Sequence, residues 1–317
     1  MAARLPGSVL IVSESDDPHA TALAASLREH HGLNPIRLDL RDFPGESGSF
    51  RLHRFGTARA MSHITGLDDV RSVWWRRPHI CRPPAGAPAA DITYRQSECD
   101  DFLEGLLWSI PAAWVNDPGA DRTAGRRIVQ LETASRAGCA VPETLITNDP
   151  DEARSFAESR PGPVVYKRSG TDRTEFGAAG IIRRSEFDRL ADIRFSPTTF
   201  QDYIAAVCDL RVVWVDGIEW AVRVDTRTGM GRPRSTRGAC APEHLPASVS
   251  KSLATLMGAL GLHFGVLDLR LGLDGEYYFL EVEPQGQFGY LELETGLPMF
   301  RSLGNLLVRG DGTVPGY

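Results

Sequence analysis

Three carboxylates in two short apolar runs near the end of the chain are the side chains best placed to do chemistry. Phe264–Leu271 carries Asp268, Tyr278–Pro284 carries Glu281 and Glu283, and Asp274-Gly275 lies between the runs. Side chains alternate faces along a strand, so Val266, Asp268 and Arg270 share one face of the first run. In the second run Phe279, Glu281 and Glu283 share a face. A two-residue turn at Asp274-Gly275 predicts Asp268 directly across from Glu281, and Arg270 across from Phe279. Opposed carboxylates about 5 Å apart at Cβ weaken a sheet. Arg270 neutralises part of that charge but not all of it. A divalent cation would relieve the rest, and an all-oxygen donor set favours Mg²⁺ shared with substrate phosphates. The alternative is a solvated hairpin face whose acids point into water.

Cations are the natural counterpart, and one is unusual in type. Of 35 basic residues only Lys167 and Lys251 are lysines. Lys167 ends the apolar run Val164–Lys167 and is followed by the polar loop Arg168–Gly177. A lysine there can meet phosphate oxygens as a point charge, with loop amides assisting; an ordinary strand-end lysine is the plainer alternative. Asp209 and Arg211 share a strand face, either beside a cleft or as a structural ion pair. Trp74-Trp75-Arg76-Arg77 reads as core aromatics with exposed arginines. The five cysteines are scattered without a CxxC, the histidines lack metal spacing, and no GxSxG occurs. Zinc, disulfide and serine-hydrolase readings are therefore disfavoured.

The elements that must carry these residues follow from pattern. Gly7–Val12, a helix from Asp17-Pro18 to Gly32, and Pro35–Leu40 make a β-α-β opening, with Asp17 as N-cap and Pro18 at the first position. It has no GxGxxG. Strands over 50–75 follow, then helices over Ile92–Ile110 and Asp121–Ala137. Next come a strand at Glu143–Thr147, a helix from Asp149-Pro150, and strands at Val164–Lys167, Ala179–Arg183 and Thr198–Ile204. Leu210–Val215 and Ile218–Val224 are joined at Asp216-Gly217, a strong hairpin signal. Helix Pro246–Leu260 precedes the two acid-bearing strands. The plan is a small α/β domain, a central α+β piece and a C-terminal mixed sheet.

Composition bounds the class. The chain has 317 residues, 42% hydrophobic and 24% charged, inside the ordinary globular range. No apolar run approaches the roughly 20 residues of a membrane helix, and no secretory signal opens the chain. A cytoplasmic protein with no membrane partner is expected. The net charge of −6 argues against nucleic acid as a partner.

Taken in order, the sequence resembles an ATP-grasp ligase, and more narrowly the microviridin-type graspetide synthetases that crosslink ribosomal peptides. The marks are Val73-Trp74-Trp75-Arg76-Arg77-Pro78, Gln130-Leu131…Gly138…Val141–Asn148, Val165-Tyr166-Lys167, Gln201–Ile204, Asp209–Val212, Phe279–Phe288 and Leu291-Glu292…Thr295-Gly296-Leu297-Pro298. The resemblance implies an α/β (α+β) ATP-grasp fold. A pre-ATP-grasp domain would span 1–117, a central lid subdomain 118–204, and a C-terminal subdomain with the metal site 205–317. It implies ATP and Mg²⁺ as cofactors. Lys167 would contact the nucleotide phosphates, and Gln201, Asp202, Tyr203 and Ile204 would form the adenine hinge. Asp268, Glu281 and Glu283 would hold the metal, and Arg211 and Arg270 would steady phosphate and acyl phosphate. Two positions depart from the pattern: Glu283 stands where the family usually has Asn, and Arg127 replaces an earlier nucleotide-contacting lysine. The implied substrate is a precursor peptide of leader plus core, with the leader near Asp209–Arg223 and a homodimer as a further option. The implied reaction activates Asp or Glu side chains as acyl phosphates and closes ω-ester or ω-amide rings. An amino-acid or protein C-terminus ligase, and a non-catalytic binding relative, are the competing readings.

Overall fold

The computed structural model describes residues 7–54, 56–61, 66–76, 88–168, 180–224, 240–310 and 312. Arg77, Pro78, Cys81 and most of the loop after Lys167 lie outside the described residues.

Strand β1 (Ser8–Val12), helix α1 (Pro18–His31) and strand β2 (Ile36–Leu38) form the parallel β-α-β unit expected. The Asp17 carboxylate accepts from the backbone N–H groups of His19 at 2.7 Å and Ala20 at 3.4 Å. Pro18 occupies the first turn, and Gly32, left-handed at φ 64°, ends the helix. Strands β3 (Gly48–His53) and β4 (Gly56–Met61) form a separate hairpin. Strand β5 (Val70–Trp75), helix α2 (Ala89–Trp108) and strand β6 (Ala113–Val115) complete a parallel sheet in the order β2-β1-β5-β6. Its strands all end at one edge, so Ser13–Asp17, Arg76 and Asn116 gather there.

The single helix expected over Asp121–Ala137 is instead two, α3 (Pro118–Ala124) and α4 (Arg127–Arg136). Asp117 caps α3 through the Ala120 N–H, and the chain breaks at Gly125. The Ala124 carbonyl freed by the break accepts from Gln130 Nε2 at 2.6 Å, and the same amide donates to Val282 O at 2.8 Å. Gln130 Oε1 takes the Val282 N–H in return. The break thus lets α4 bind the acid-bearing strand.

Strand β7 (Thr144–Thr147), helix α5 (Pro150–Ser159), and strands β8 (Val164–Arg168), β9 (Gly180–Ile182) and β10 (Thr198–Asp202) follow. They form an antiparallel sheet, β7-β10-β8-β9, on a small core of Ala153, Val164, Phe187, Leu190, Ile193 and Phe200.

The last sheet uses β11 (Ala206–Val215), β12 (Ile218–Val224), β13 (Cys240–Glu243), β14 (Phe264–Gly272) and β15 (Tyr277–Glu283), in the order β13-β12-β11-β14-β15. Neighbours among these five are antiparallel, and parallel character enters at the edge, where Ala140 bridges Tyr278. Asp216 and Gly217 both have positive φ, 46° and 88°, as the expected two-residue hairpin turn requires. Helix α6 (Ala247–Ala259) packs Leu253, Leu256 and Met257 against Leu267 and Leu269 on one face. Helices α7 (Gly289–Thr295) and α8 (Met299–Arg309) close the described chain. Gly296, at φ 71°, makes the corner between them while Glu292 accepts the Phe300 N–H. That accounts locally for the Thr-Gly-Leu-Pro mark. Helix α8 buries Phe300, Leu303, Leu306 and Leu307, spaced for one helical face, against α1 and the sheet. Each such leucine contributes about 2 kcal/mol of burial.

None of the four described cysteines forms a disulfide. Among the described residues no helix is long and apolar enough to cross a membrane.

Candidate active site

Register in the β14–β15 hairpin decides where the acids point. Asp268 pairs with Glu281 and Val266 with Glu283, so the opposition of carboxylates expected from the sequence is present. Beyond it the ladder slips by one residue between Asp268 and Leu269. Arg270 therefore faces Tyr278, not Phe279. The turn is also longer than expected. Gly272 N–H donates to Glu276 O, closing a loop of Leu273, Asp274 and Gly275, with Gly275 at φ 85°. Leu280 is the extra residue of a bulge, and it resolves a conflict. Strict alternation would put Phe279 beside Glu281, whereas the bulge turns Phe279 into the core with Val282. Glu281 and Glu283 are left on the face of Asp268.

The neighbouring strand supplies the counter-charge in crossed pairs. Asp209 lies opposite Arg270 and Arg211 opposite Asp268. Arg270 grips Asp209 through two hydrogen bonds of 2.6 and 2.9 Å. Arg211, its side chain only 9% exposed, binds Asp268 directly and reaches Glu283 at 3.5 Å. Asp209 and Arg211 are thus ion-paired, but each across the ladder rather than with one another. Arg127, on the first turn of α4, reaches Glu281 at 3.1 Å. Its Nε and one Nη are buried with no hydrogen-bond partner among the described residues, so this cation has donors to spare.

Lys167 enters from the central sheet. On β8, its Nζ donates to Gln201 Oε1 at 3.0 Å, and the Gln201 amide donates to Thr144 Oγ1 at 2.8 Å. Burial pushes the Lys167 ammonium below its ordinary value; Glu281 and Asp268 pull it up, and Arg127 and Arg270 push it down. It stands within electrostatic reach of all four. Burial likewise pushes Asp268 up to about 6; Arg211 opposes this, while Glu281 and Glu283 add to it. The acids and cations interleave, Asp209, Asp268, Glu281 and Glu283 standing against Arg127, Lys167, Arg211 and Arg270.

Asp202, Tyr203 and Ile204 follow directly on from Gln201. Asp202 N–H donates to Glu143 O and Tyr203 N–H to Pro163 O. The Asp202 carboxylate is held by Arg160 in a two-pronged pair at 2.8 and 2.7 Å. Ile204 O accepts from Arg270 at 3.4 Å, and that guanidinium lies 5.8 Å over the Tyr203 ring. Residues 202–204 therefore connect the central sheet to Arg270 on the acid-bearing hairpin.

Among the described residues no group of three acidic, His or Cys side chains is arranged to hold a metal ion. Each acid is turned onto a cation instead: Glu281 onto Arg127, Asp268 and Glu283 onto Arg211. The donor chemistry nevertheless fits Mg²⁺, which is commonly held by one or two carboxylates together with phosphate oxygens. The opposition of Asp268 to Glu281 across the ladder is where a cation would relieve repulsion.

Three residues here carried no role in the sequence reading. Gln130 joins α4 to β15, Arg160 engages Asp202, and Tyr290 on α7 lies against Arg211, with burial raising its hydroxyl pKa. Only Gln130 had a signal, as part of a quoted mark. Arg76 departs from expectation more sharply: it is buried, at 1% exposure, among the core aromatics.

No family model matches the chain, and no curated protein matches it. Solved structures do. The macrocyclase MdnB of Microcystis aeruginosa is 28% identical, with 96% of this chain and 100% of that one covered at a TM-score of 0.81. The macrocyclase MdnC of the same organism, solved with the precursor peptide MdnA, is 25% identical over 95% and 99% of the two chains, TM-score 0.82. A Chryseobacterium gregarium RiPP-associated ATP-grasp ligase, solved with ADP and a leader and core peptide, is 20% identical over 98% and 99%, TM-score 0.86. At that identity it speaks for the fold alone. With this likeness running the full length of both macrocyclases, the chain has the ATP-grasp fold and is similar throughout to ligases of the graspetide-maturase type.

Proposed function

We propose that the protein closes rings in a ribosomally made precursor peptide, joining Asp or Glu side chains to hydroxyls or amines at the expense of ATP. The observation that carries this reading is the interleaved cluster of Asp268, Glu281 and Glu283 with Arg127, Lys167, Arg211 and Arg270, drawn from two sheets and a helix. The sequence boundaries at 117 and 204 are proposed as the limits of the units that build it. A cytoplasmic setting, where ATP and newly made peptide are both present, belongs to the same proposal.

A carboxylate resists attack because oxide is a poor leaving group. In the proposed reaction a carboxylate oxygen of the peptide takes the γ-phosphoryl group of ATP and ADP departs. A hydroxyl then attacks the acyl carbon, phosphate leaves, and the hydroxyl proton ends on the departing phosphate. The sum is carboxylate plus alcohol plus ATP giving ester, ADP and phosphate. Lys167 and the spare donors of Arg127 are assigned to the phosphates, where fixed cations in a water-poor site stabilise charge as it develops. Arg211 and Arg270 are assigned to the acyl-phosphate side. Asp268, Glu281 and Glu283 are assigned to Mg²⁺, which when bound screens the triphosphate and draws electrons from the transferring group. Gln201 holds Lys167 in place, and Gln201–Ile204 form the proposed adenine edge. The macrocyclase MdnC, solved with its precursor peptide, supports a peptide substrate, and the leader is assigned to the β11–β12 hairpin.

The full chain incubated with ATP, Mg²⁺ and the precursor encoded beside its gene should yield a product lighter by one water per ring. An unchanged precursor mass, with ADP released on free amino acids, would replace this reading with the amino-acid ligase.

A further inference from the structure

Arg76, the first arginine of the Trp-Trp-Arg-Arg run, has no part in the cluster above, yet it is among the largest fully buried side chains. A buried guanidinium must be paired and hydrogen-bonded to be tolerated. Its Nε donates to Asp17 Oδ2 at 3.1 Å, and one Nη donates to the carbonyls of Gln285 and Gly286. Those carbonyls belong to the loop 284–288, immediately after Glu283. His19, also buried, reaches the same loop from the other side. Its Nε2 accepts the N–H groups of Phe288 at 3.0 Å and Gly289 at 2.9 Å. An Nε2 that accepts twice cannot carry a proton, so the proton sits on Nδ1, 3.5 Å from Asp17 Oδ1. One carboxylate therefore caps α1, orients Arg76 and fixes the His19 tautomer.

The remaining holds on the loop come from the same part of the chain. Asn116 Nδ2 donates to Pro284 O at 3.4 Å, and Asp121 accepts from Gln285 Nε2 at 2.7 Å. A Cβ on Gly286 would meet Val266 Cβ at 2.5 Å, so the backbone lies directly on β14. The loop is then passed to the cluster, for Gln287 O accepts from Arg211 at 3.5 Å. Residues 17–121 thus grip the six residues that follow Glu283 and touch the partner of Asp268.

We propose that His19 and Arg76, both oriented by Asp17, are positioning residues: they fix the loop 284–289 and through it the stance of Glu283 and Arg211 toward the metal-bound nucleotide. This rests on the roles given to Glu283 and Arg211 above. It also gives the C-terminal edge of the N-terminal sheet a part in the chemistry, that of holding the loop after the ligand strand. Supporting groups around metal ligands typically alter metal affinity or activity by about 10–100-fold when removed.

The test is the Mg²⁺ dependence of binding a fluorescent ADP analogue to the full chain, which needs no peptide. Arg76→Lys keeps the charge beside Asp17 but loses the reach to two carbonyls, and His19→Phe removes the acceptor. Both are expected to raise the half-saturating Mg²⁺ concentration about ten-fold or more. His19→Gln, with an oxygen near the Nε2 position, should recover most of that loss. A merely structural clamp would lower the melting temperature and leave the Mg²⁺ dependence of the folded protein unmoved; that result in Arg76→Lys and His19→Phe overturns the proposal. If Arg76→Lys does not fold, the two His19 variants decide. A wild-type chain that binds Mg²⁺-nucleotide but modifies no peptide overturns the substrate reading and leaves the clamp standing. Wild-type ring closure with both variants unmoved overturns the clamp alone.

Discussion

Lys167 shows how a functional side chain works against the fold that carries it. Its ammonium is partly buried on β8 with Gln201 as its hydrogen-bond partner, and desolvation lowers its pKa. A desolvated cation destabilises the protein unless its partners offset the loss of water, and here two of its four charged neighbours are themselves cations. Lys167→Met should therefore leave the melting temperature unchanged or higher while ATP turnover falls at least about 100-fold. Thermal melts and steady-state ADP release check both halves. A lower melting temperature with turnover retained would return Lys167 to the plain strand-end lysine. The sequence singled this residue out by type, but Gln201 as its partner depended on the β8–β10 pairing.

At the scale of elements, α1 does two jobs through its cap. Burial alone would raise the Asp17 carboxyl, but His19 and Arg76 outweigh it and hold the group well below the usual carboxylate range. A carboxylate with a depressed folded-state pKa stabilises the fold above its ordinary value of 3.8, and that contribution is lost as pH falls through the folded-state pKa. Asp17→Asn keeps a good cap and removes the charge. It should lower stability at neutral pH and flatten the acid limb of a stability–pH curve below about pH 4. Asp17→Ala also loses the cap, costing about 1 kcal/mol more. Urea unfolding at stepped pH separates the two. An Asp17→Asn curve parallel to wild type down the acid limb would mean that the charge contributes nothing.

Across the whole molecule, burial is uneven. Among the described residues the largest core joins α1 and β1 near the start to α7 and α8 near the end, with twenty buried side chains from Val9 to Leu307, whereas the central sheet rests on six of its own. Fewer buried apolar groups mean a lower opening free energy. Amides of β7, β8 and β10 should exchange through local opening well before those of β1, β11 and α8, which should share the slowest, global rate. Native-state hydrogen exchange by mass spectrometry tests this; uniform protection would show that the sheets unfold together. Slow exchange in the first and last helices would also fit an N-terminal sheet that grips the loop after Glu283.

Local rules were enough for much of this. The Asp17-Pro18 start of α1 and the Asp216-Gly217 turn follow from φ preferences and caps, which act over a few neighbouring positions. The ATP-grasp resemblance likewise rested on short runs in order. Asp268, by contrast, faces Glu281 only because the Leu280 bulge offsets a turn one residue longer than expected. What tertiary structure decided is whatever depends on two distant segments competing for one place. The Leu280 bulge exists because the core claims Phe279 while the site claims Glu281, and no window of one strand contains both demands. The Gly125 break serves Gln130 and Val282, 152 residues apart. Arg76, exposed by every local expectation, is buried because Asp17 and two carbonyls more than 200 positions later close around it.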